Sequence, residues 1–431
     1  MRTIRYLLIM MAAAFLSIVW SCSDKITEKY NANVPVYMSY EDLRKSVKVE
    51  EHEPMSVPGK IYFKDKYIFI NEQMKGVHVL DNTDPSKPKF KKFISIPGNI
   101  DIAIKGNMLY ADSYVDLVVL NISDLNNIKE EFRIKDIFPY IVPVYTYGKT
   151  TEPINREKGV VIKWQETTVS KEVETYENSY PMYWEYMNFT DGFAKANGSV
   201  ATSTSGGYQT VGIGGSMARF SINGEALYVI NQGNIIVFDI SNTTKPSKIS
   251  DNYIGWNIET LFLYDKTLFI GSQTGMLLYD ATNPFALNPL STFQHVRSCD
   301  PVVVEGNYAY VTLRSGSMCG GNTNQLDVVD VENRTTPVLK KTYPMTNPKG
   351  LGIDDGILFV CDGPDGLKVY DAADVNAIDQ HMISHFKDIK TYDVIPNNGL
   401  LFMVGDSGFY QYDYKNLNDI KLLSKILVTG K

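Results

Sequence analysis

Histidine, cysteine and the motifs of a reaction centre are scarce in this chain. Its 431 residues include five histidines and four cysteines. His381 and His385 have the i, i+4 spacing of zinc ligands, but no glutamate adjoins His381. Gly214-Gly215-Ser216-Met217-Ala218 lacks the final glycine of a nucleophile elbow. The sequence therefore predicts no catalytic residue and no metal site of a defined type.

An excess of positive charge and a long apolar segment in the body of the chain are also missing. Lysine and arginine number 42 against 49 acids, which gives a formal net charge of −7. A mildly acidic surface argues against a nucleic-acid partner, because phosphate recognition needs a basic patch. After residue 20, no segment is apolar for long enough to cross a bilayer.

The N-terminus has the pattern of an export signal. Arg2 and Arg5 precede the apolar run from Leu7 to Trp20, which predicts a signal peptide over residues 1–21. Val19-Trp20-Ser21-Cys22 resembles a bacterial lipobox, so we expect a lipid on Cys22 and membrane attachment through it. The alternative is an ordinary signal peptide with an incidental cysteine. Residues 22–45 begin with a polar stretch and are predicted to be a lipidated, flexible tether.

A short apolar motif that ends in an acid or amide occurs seven times. The seven terminal residues are Asp81, Asn121, Asp239, Asp280, Asp330, Asp371 and Asp413. A period of about 40 residues is typical of propeller blades. Each copy follows an apolar strand, and a Gly/Asn/Asp turn usually precedes that strand, as in a β-hairpin. The sequence therefore predicts an all-β fold over residues 46–431, a seven-bladed β-propeller of four-stranded blades. Residues 421–428 supply the last outer strand, and the motif acids are predicted to cap turns.

One long insertion interrupts the repeat after the second blade, over residues 136–214. It contains a strand-like piece from Gly159 to Trp164 and a dense aromatic cluster between Tyr176 and Phe189. The candidate ligand-facing residues here are Trp164, Tyr183, Trp184 and Tyr186. Exposed aromatic rings suit stacking on sugars or docking of a protein. The alternative is that they form a small core of the insertion itself.

The inter-strand loops of one face of the predicted disc hold the remaining candidates. Cys299 and Cys319 are predicted to form a disulfide, and Cys361 to be a buried free thiol. His295, Arg297, Asp300 and Arg314 suggest a pocket for an anion or carboxylate, with Asp362 as a further ligand-facing residue. The acids of this face, considered as oxygen ligands for calcium, are Asp112, Asp116, Asp362, Asp365 and Asp406. Solvated turns are the competing interpretation, because no loop matches a defined calcium motif.

The repeat resembles the LVIVD-repeat propellers, and its combination with a lipobox resembles LVIVD-repeat lipoproteins of the Bacteroidetes outer membrane. The resemblance implies an exported protein on the periplasmic or cell-surface side of the outer membrane, with no established reaction. We therefore expect a scaffold that binds a glycan or protein partner through its loops and insertion. The alternative is a glycan-processing enzyme, a lyase or hydrolase, with its site at the channel mouth. Fold alone does not decide between them.

Overall fold

The computed structural model describes residues 26–143, 150–173, 213–216, 218–295, 301–316 and 323–429. Twenty-eight of the strands in this part form seven consecutive four-stranded antiparallel blades. The first three blades are built from β3 Pro58–Lys64, β4 Tyr67–Glu72, β5 Gly76–Asp81 and β6 Lys89–Ser95; β7 Ile102–Lys105, β8 Met108–Ser113, β9 Asp116–Asn121 and β10 Lys129–Ile134; and β13 Phe220–Asn223, β14 Ala226–Asn231, β15 Asn234–Asp239 and β16 Ser247–Tyr253.

The other four blades repeat this order. They are built from β17 Ile258–Tyr264, β18 Thr267–Ser272, β19 Gly275–Asp280 and β20 Asn288–Gln294; β21 Val302–Glu305, β22 Tyr308–Leu313, β23 Gln325–Asp330 and β24 Val338–Pro344; β25 Leu351–Asp354, β26 Ile357–Cys361, β27 Leu367–Asp371 and β28 Met382–Phe386; and β29 Thr391–Asn397, β30 Leu400–Gly405, β31 Gly408–Asp413 and β32 Lys421–Leu427. The predicted seven-bladed propeller and its last outer strand are confirmed.

Contacts between neighbouring blades close the ring. The innermost strands of all seven neighbouring pairs are in contact, including β29 of the last blade with β3 of the first. Apolar clusters fill the spaces between blades, because the middle strands are buried on both faces while the outermost strands are largely exposed. At the junction, Phe63 stacks on Phe402 at 5.0 Å, and the Thr429 N–H donates to the Met55 carbonyl at 2.9 Å. Contacts between the first and last blades, not a blade shared by the two ends of the chain, therefore close the disc.

The acid or amide at the end of each motif closes a turn, as predicted. In every blade its side-chain oxygen accepts a hydrogen bond of 2.8–3.1 Å from the backbone N–H two residues later. A second acid or amide three residues further on does the same at 2.9–3.2 Å. This second set is Asp84, Asp124, Asn242, Asn283, Asn333, Asp374 and Asn416. The repeating carboxylates are therefore structural.

The remaining elements lie outside the four-stranded pattern. β2 Lys48–Glu50 adds to the outer edge of the first blade, and β12 Ile213–Gly214 adds to its inner edge. β1 Ile26–Met38 pairs antiparallel with β11 Val160–Val173, and the α-helix α1 spans Tyr40–Leu43. Short 3₁₀ turns span Arg156–Lys158, Gly363–Asp365 and Ile378–Gln380. Among the described helices, none is both long and apolar enough to cross a membrane.

The structure differs from the predicted tether over residues 22–45. From residue 26 onward, this segment forms β1 and α1. The sequence gives no local signal for β1, because its partner strand β11 lies 122 or more residues further along the chain. β11 extends the strand-like piece predicted at Gly159–Trp164. Leu43 and Val160 pack with Ile100, Tyr114 and Ile141 in a small apolar cluster against the second blade. The N-terminal segment and the start of the insertion therefore share a core.

Candidate functional site

The end of the insertion fills the centre of the propeller. β12 pairs with β3 through Ile213 opposite Phe63 and Gly214 opposite Tyr62. Because β3 is the innermost strand of its blade and β4 occupies its other edge, β12 lies on the channel side. We call residues 213–216 and 218–220 the channel segment.

Hydrogen bonds tie the channel segment to four further blades. Ser216 Oγ donates to Asp393 Oδ1 at 3.2 Å and accepts from the Leu351 N–H at 2.8 Å. The Ala218 carbonyl accepts from the Leu261 N–H at 2.8 Å. The Arg219 N–H donates to Asp101 Oδ2 at 2.6 Å. These partners belong to the seventh, sixth, fourth and second blades, so the segment crosses the axis.

A buried ion pair anchors this crossing. Lys60 Nζ lies 2.7 Å from Asp101 Oδ2, and the two side chains are 3% and 0% exposed. Two charges removed from water are tolerated only when further hydrogen bonds satisfy them. Asp101 accepts three such bonds, from the backbone N–H groups of Ile102, Arg219 and Phe220. Burial lowers the pKa of Lys60, and the attraction of Asp101 opposes that change.

Asp393 is the least satisfied acid of the channel. Its Oδ1 accepts from Ser216, while its buried Oδ2 has no hydrogen-bond partner among the described residues. Burial raises the pKa of Asp393 to about 7. A Cβ added to Gly215 would lie 2.0 Å from Oδ2, and one added to Gly350 would lie 2.2 Å from Oδ1. The carboxyl is therefore enclosed by backbone, and its neutral form is favoured.

Two further acids with raised pKa values lie around the same centre. Asp112 accepts from Asn99 Nδ2 at 2.8 Å and from two backbone N–H groups, yet burial raises its pKa to about 6. Burial likewise raises the pKa of Glu259 to about 6, although a hydrogen bond from Gln273 Nε2 at 3.2 Å opposes the shift. Each of these acids accepts hydrogen bonds from protein donors of its own, so its burial is compensated within the fold.

Two of the predicted anion-pocket residues meet at Glu259. Electrostatic interactions with Arg314, Arg219 and His295 oppose the rise in the pKa of Glu259. Arg314 is 9% exposed, and burial lowers its pKa. Beside Arg219 and Asp112, a cavity of about 20 Å³ lies between the second and third blades, which is room for about one water molecule.

The predicted ligand-facing Asp362 instead organises a loop. It is fully buried and accepts from the Thr346 and Asn347 N–H groups at 3.0 and 2.7 Å and from Lys368 Nζ at 2.5 Å. Asp365 lies 2.7 Å from the same ammonium. The hydrogen bonds that Asp362 and Asp365 need are therefore supplied by protein groups around this connection.

The other acids considered for calcium are also engaged by the protein. Asp116 accepts from Arg44 Nε at 3.0 Å and from Arg133 Nη1 at 3.2 Å. Asp406 accepts from the Tyr392 hydroxyl. Within the described ranges, no three acids, histidines or cysteines come together as metal ligands.

Arg44 links the N-terminal segment to the second blade. It follows α1, and its Nη2 lies 2.9 Å from Asp136 Oδ1 while the guanidinium also contacts the fully buried Asp116. A charged hydrogen bond to a buried acid holds its partner firmly. The segment predicted as a tether is therefore docked on the propeller.

Of the remaining sequence candidates, Trp164 and Cys361 lie within the described residues. Trp164 is half-buried, and its Nε1 donates to the Pro143 carbonyl at 2.7 Å. Cys361 is buried and free, as predicted. The candidates that lie outside the described residues are Cys22, Tyr183, Trp184, Tyr186, Arg297, Cys299, Asp300 and Cys319.

Sequence reasoning missed the channel residues Lys60, Asp101, Ser216 and Asp393. The signal for Ser216 was the run Gly214-Gly215-Ser216, which matched neither a nucleophile elbow nor a dinucleotide fingerprint. Glycines that belong to no known motif can indicate that the backbone passes close to another group, where a Cβ would not fit. Here they pass beside Asp393.

Comparison with known proteins agrees with the repeat. The LVIVD repeat family matches residues 99–136, 214–252 and 297–345. No curated protein matches the sequence. A protein of known structure from Lactobacillus plantarum is 11% identical, with 86% of this chain and 97% of that chain covered and a TM-score of 0.52.

Two other solved structures are similar at lower scores. A functionally unknown protein from Desulfotomaculum acetoxidans is 9% identical, with 85% and 95% of the two chains covered and a TM-score of 0.48. Sqt1 from Saccharomyces cerevisiae is 8% identical, with 92% and 89% covered and a TM-score of 0.48. At 11% identity, the similarity to the Lactobacillus plantarum structure shows the fold alone. The chain is thus a seven-bladed β-propeller with LVIVD repeats in its second, third and fifth blades.

Proposed function

We propose that the chain is an exported LVIVD-repeat lipoprotein of the Bacteroidetes type, anchored to the outer membrane through Cys22. In this proposal it faces the periplasm or the cell surface and acts as a binding scaffold. The signal-like residues 1–21 and the lipobox support export and lipidation. Removal of the signal takes away two arginines, which moves the formal charge from −7 to −9.

The filled channel is the observation that favours binding over catalysis. A reaction site needs a concave pocket where polar groups converge on a substrate. On the propeller axis, Ser216 and Asp393 are fully buried and bonded to each other, and Lys60 is paired with Asp101. The surfaces left for a partner are the loops and the insertion.

The first test concerns the anchor. Wild type and Cys22→Ser are expressed in a Bacteroidetes host with an alkyne-labelled fatty acid, and membrane and soluble fractions are compared. We expect label and membrane association only in the wild type. Equal label in both proteins would refute lipidation at Cys22.

The second test concerns binding. Residues 174–212 are replaced with a short Gly/Ser linker, which keeps β11 and the channel segment in place. Wild type and variant then capture partners from outer-membrane extracts. We expect a glycan or protein partner to be retained by the wild type and weakened in the variant. Cleavage of a glycan by the purified chain would overturn the non-enzymatic assignment.

A further inference from the structure

Two large aromatic side chains project where the third blade passes into the fourth: Tyr253 ends β16, and Trp256 lies in the connection to β17. Trp256 is 81% exposed and Tyr253 is 66% exposed. Rings of this size usually supply the main contact area of a core or an interface. In the matching connection between the first and second blades, residues Ile96 and Gly98 to Ile100 are buried. The fold therefore does not require an exposed tryptophan here.

Backbone hydrogen bonds hold this connection in one conformation. The N–H groups of Ile254 and Gly255 both donate to the Gly233 carbonyl, at 2.9 and 3.1 Å. At the other end, the Gln273 N–H donates to the Asn257 carbonyl at 3.2 Å. The connection is thus tied to one hairpin turn in each neighbouring blade. A surface fixed before binding loses little conformational entropy on binding.

Glycine at position 233 allows this close packing. A Cβ there would lie 2.6 Å from the Gly255 oxygen and 3.1 Å from Cε2 of Tyr253. Any other residue would push the connection and the tyrosine ring away from the turn. The position of Tyr253 beside the Trp256 loop therefore depends on Gly233.

Uncharged amides flank the two rings. Asn257 is exposed, and its Nδ2 donates to Gln273 Oε1 at 3.0 Å, which leaves its own oxygen and its second N–H toward solvent. Gln232 is exposed in the adjacent turn of the third blade. Within the described residues its side chain has no hydrogen bond, so its donors and acceptor also face solvent.

This combination matches the chemistry of a neutral sugar. A pyranose presents C–H groups on its faces and hydroxyls at its edge, and the hydroxyls both donate and accept. An aromatic face covers the C–H groups, while an amide offers a donor and an acceptor side by side. A protein partner would favour a contiguous apolar patch, and a phosphate ligand would favour cations. We propose that Tyr253, Trp256, Gln232 and Asn257 form a binding site for a neutral oligosaccharide.

This site rests on the proposed scaffold function and gives the scaffold a class of ligand. Sugar binding is tested with the full chain. Isothermal titration calorimetry measures binding of hexasaccharides of β-1,4-linked glucose, xylose and mannose and of α-1,4-linked glucose. We expect at least one of them to bind. Trp256→Ala should weaken binding about tenfold, whereas Trp256→Phe should retain most of it. The control is Val338→Ala, which removes an exposed apolar side chain from the fifth blade and should bind as the wild type does.

Because Trp256 is exposed, all variants should melt at the wild-type temperature. Absence of binding to all four hexasaccharides would overturn the inference, and so would unchanged affinity in folded Trp256→Ala. If the wild type still captured a partner from outer-membrane extracts in either case, the scaffold function would stand and only this site would fall. Loss of a protein partner in Trp256→Ala without any sugar binding would also overturn it.

Discussion

Asp393→Asn should change how the stability of the propeller depends on pH. The pKa of Asp393 is raised to about 7 by burial, against an ordinary value of 3.8. The folded state therefore binds a proton more tightly than the unfolded state, and stability is lost as pH rises from about 4 to about 7. Asparagine keeps the shape of the side chain and has no charge to bury.

The magnitude follows from the difference in proton binding. Between pH 5 and pH 8 the native carboxyl loses its proton, whereas the unfolded one is ionised throughout. At 1.36 kcal/mol per pKa unit, this interval costs the wild type about 3 kcal/mol that the Asn variant does not lose. Asp112 and Glu259 also have raised pKa values, but both proteins contain them, so their effect cancels in the comparison.

Urea unfolding at pH 5 and pH 8, followed by far-UV circular dichroism, measures this difference. We expect Asp393→Asn to gain about 3 kcal/mol relative to the wild type on going from pH 5 to pH 8. The control is Asp371→Asn, because an asparagine already caps the equivalent turn at Asn121. Parallel pH profiles for the wild type and Asp393→Asn would refute the reasoning.

Three other substitutions or treatments test the remaining contacts. Arg44→Ala removes one of the two arginines that contact the buried Asp116 and should destabilise the chain by about 1–2 kcal/mol, with faster hydrogen exchange in residues 26–46. Gly215→Ala places a Cβ 2.0 Å from Asp393 Oδ2 and should lower stability by about 2–3 kcal/mol in urea unfolding. Cys361 is buried, and burial raises the pKa of its thiol, so peptide-resolved mass spectrometry should find it alkylated only after unfolding.

The two substitutions each have a matched control. Lys45→Ala removes a neighbouring cation whose ion pair among the described residues is with the exposed Glu41, and it should leave hydrogen exchange unchanged. Gly255→Ala adds a Cβ with nothing within 4 Å and should change stability by less than about 0.5 kcal/mol. Equal effects of a test variant and its control would contradict the assigned contact. Rapid alkylation of Cys361 in the native protein would show that its strand is not buried.

The blades were predictable because their signals are local. The motif acids act two residues along the chain, as when Asp81 binds the Thr83 N–H. The second acid, Asp84, follows the same rule at a fixed offset, so the same reasoning applied one turn later finds it. Regular spacing and short-range hydrogen bonds are what a single sequence records well.

The N-terminal segment was not predictable for the opposite reason. Its polar start resembles a tether, but Arg44 finds Asp116 at a separation of 72 residues, and β1 finds β11 at a still larger one. The composition of a segment indicates how that segment behaves in isolation. It carries no information about contacts with residues that are distant in the sequence. An isolated two-stranded ribbon is marginal in water, so the cluster around Leu43 is needed to hold it.

The same argument explains why the sequence drew attention to the aromatic insertion and not to Trp256, where we propose a sugar-binding site. A tryptophan between two strands looks like core until the structure shows it 81% exposed beside a connection tied at both ends. Conversely, Ser216 and its glycines match no catalytic motif in the sequence, and the structure shows Ser216 buried against Asp393, 177 residues away. In a propeller the sequence repeat specifies which residues are interior to a blade. Whether a connection faces the channel or the solvent depends on how the ring closes, and that decides between a structural and a binding role.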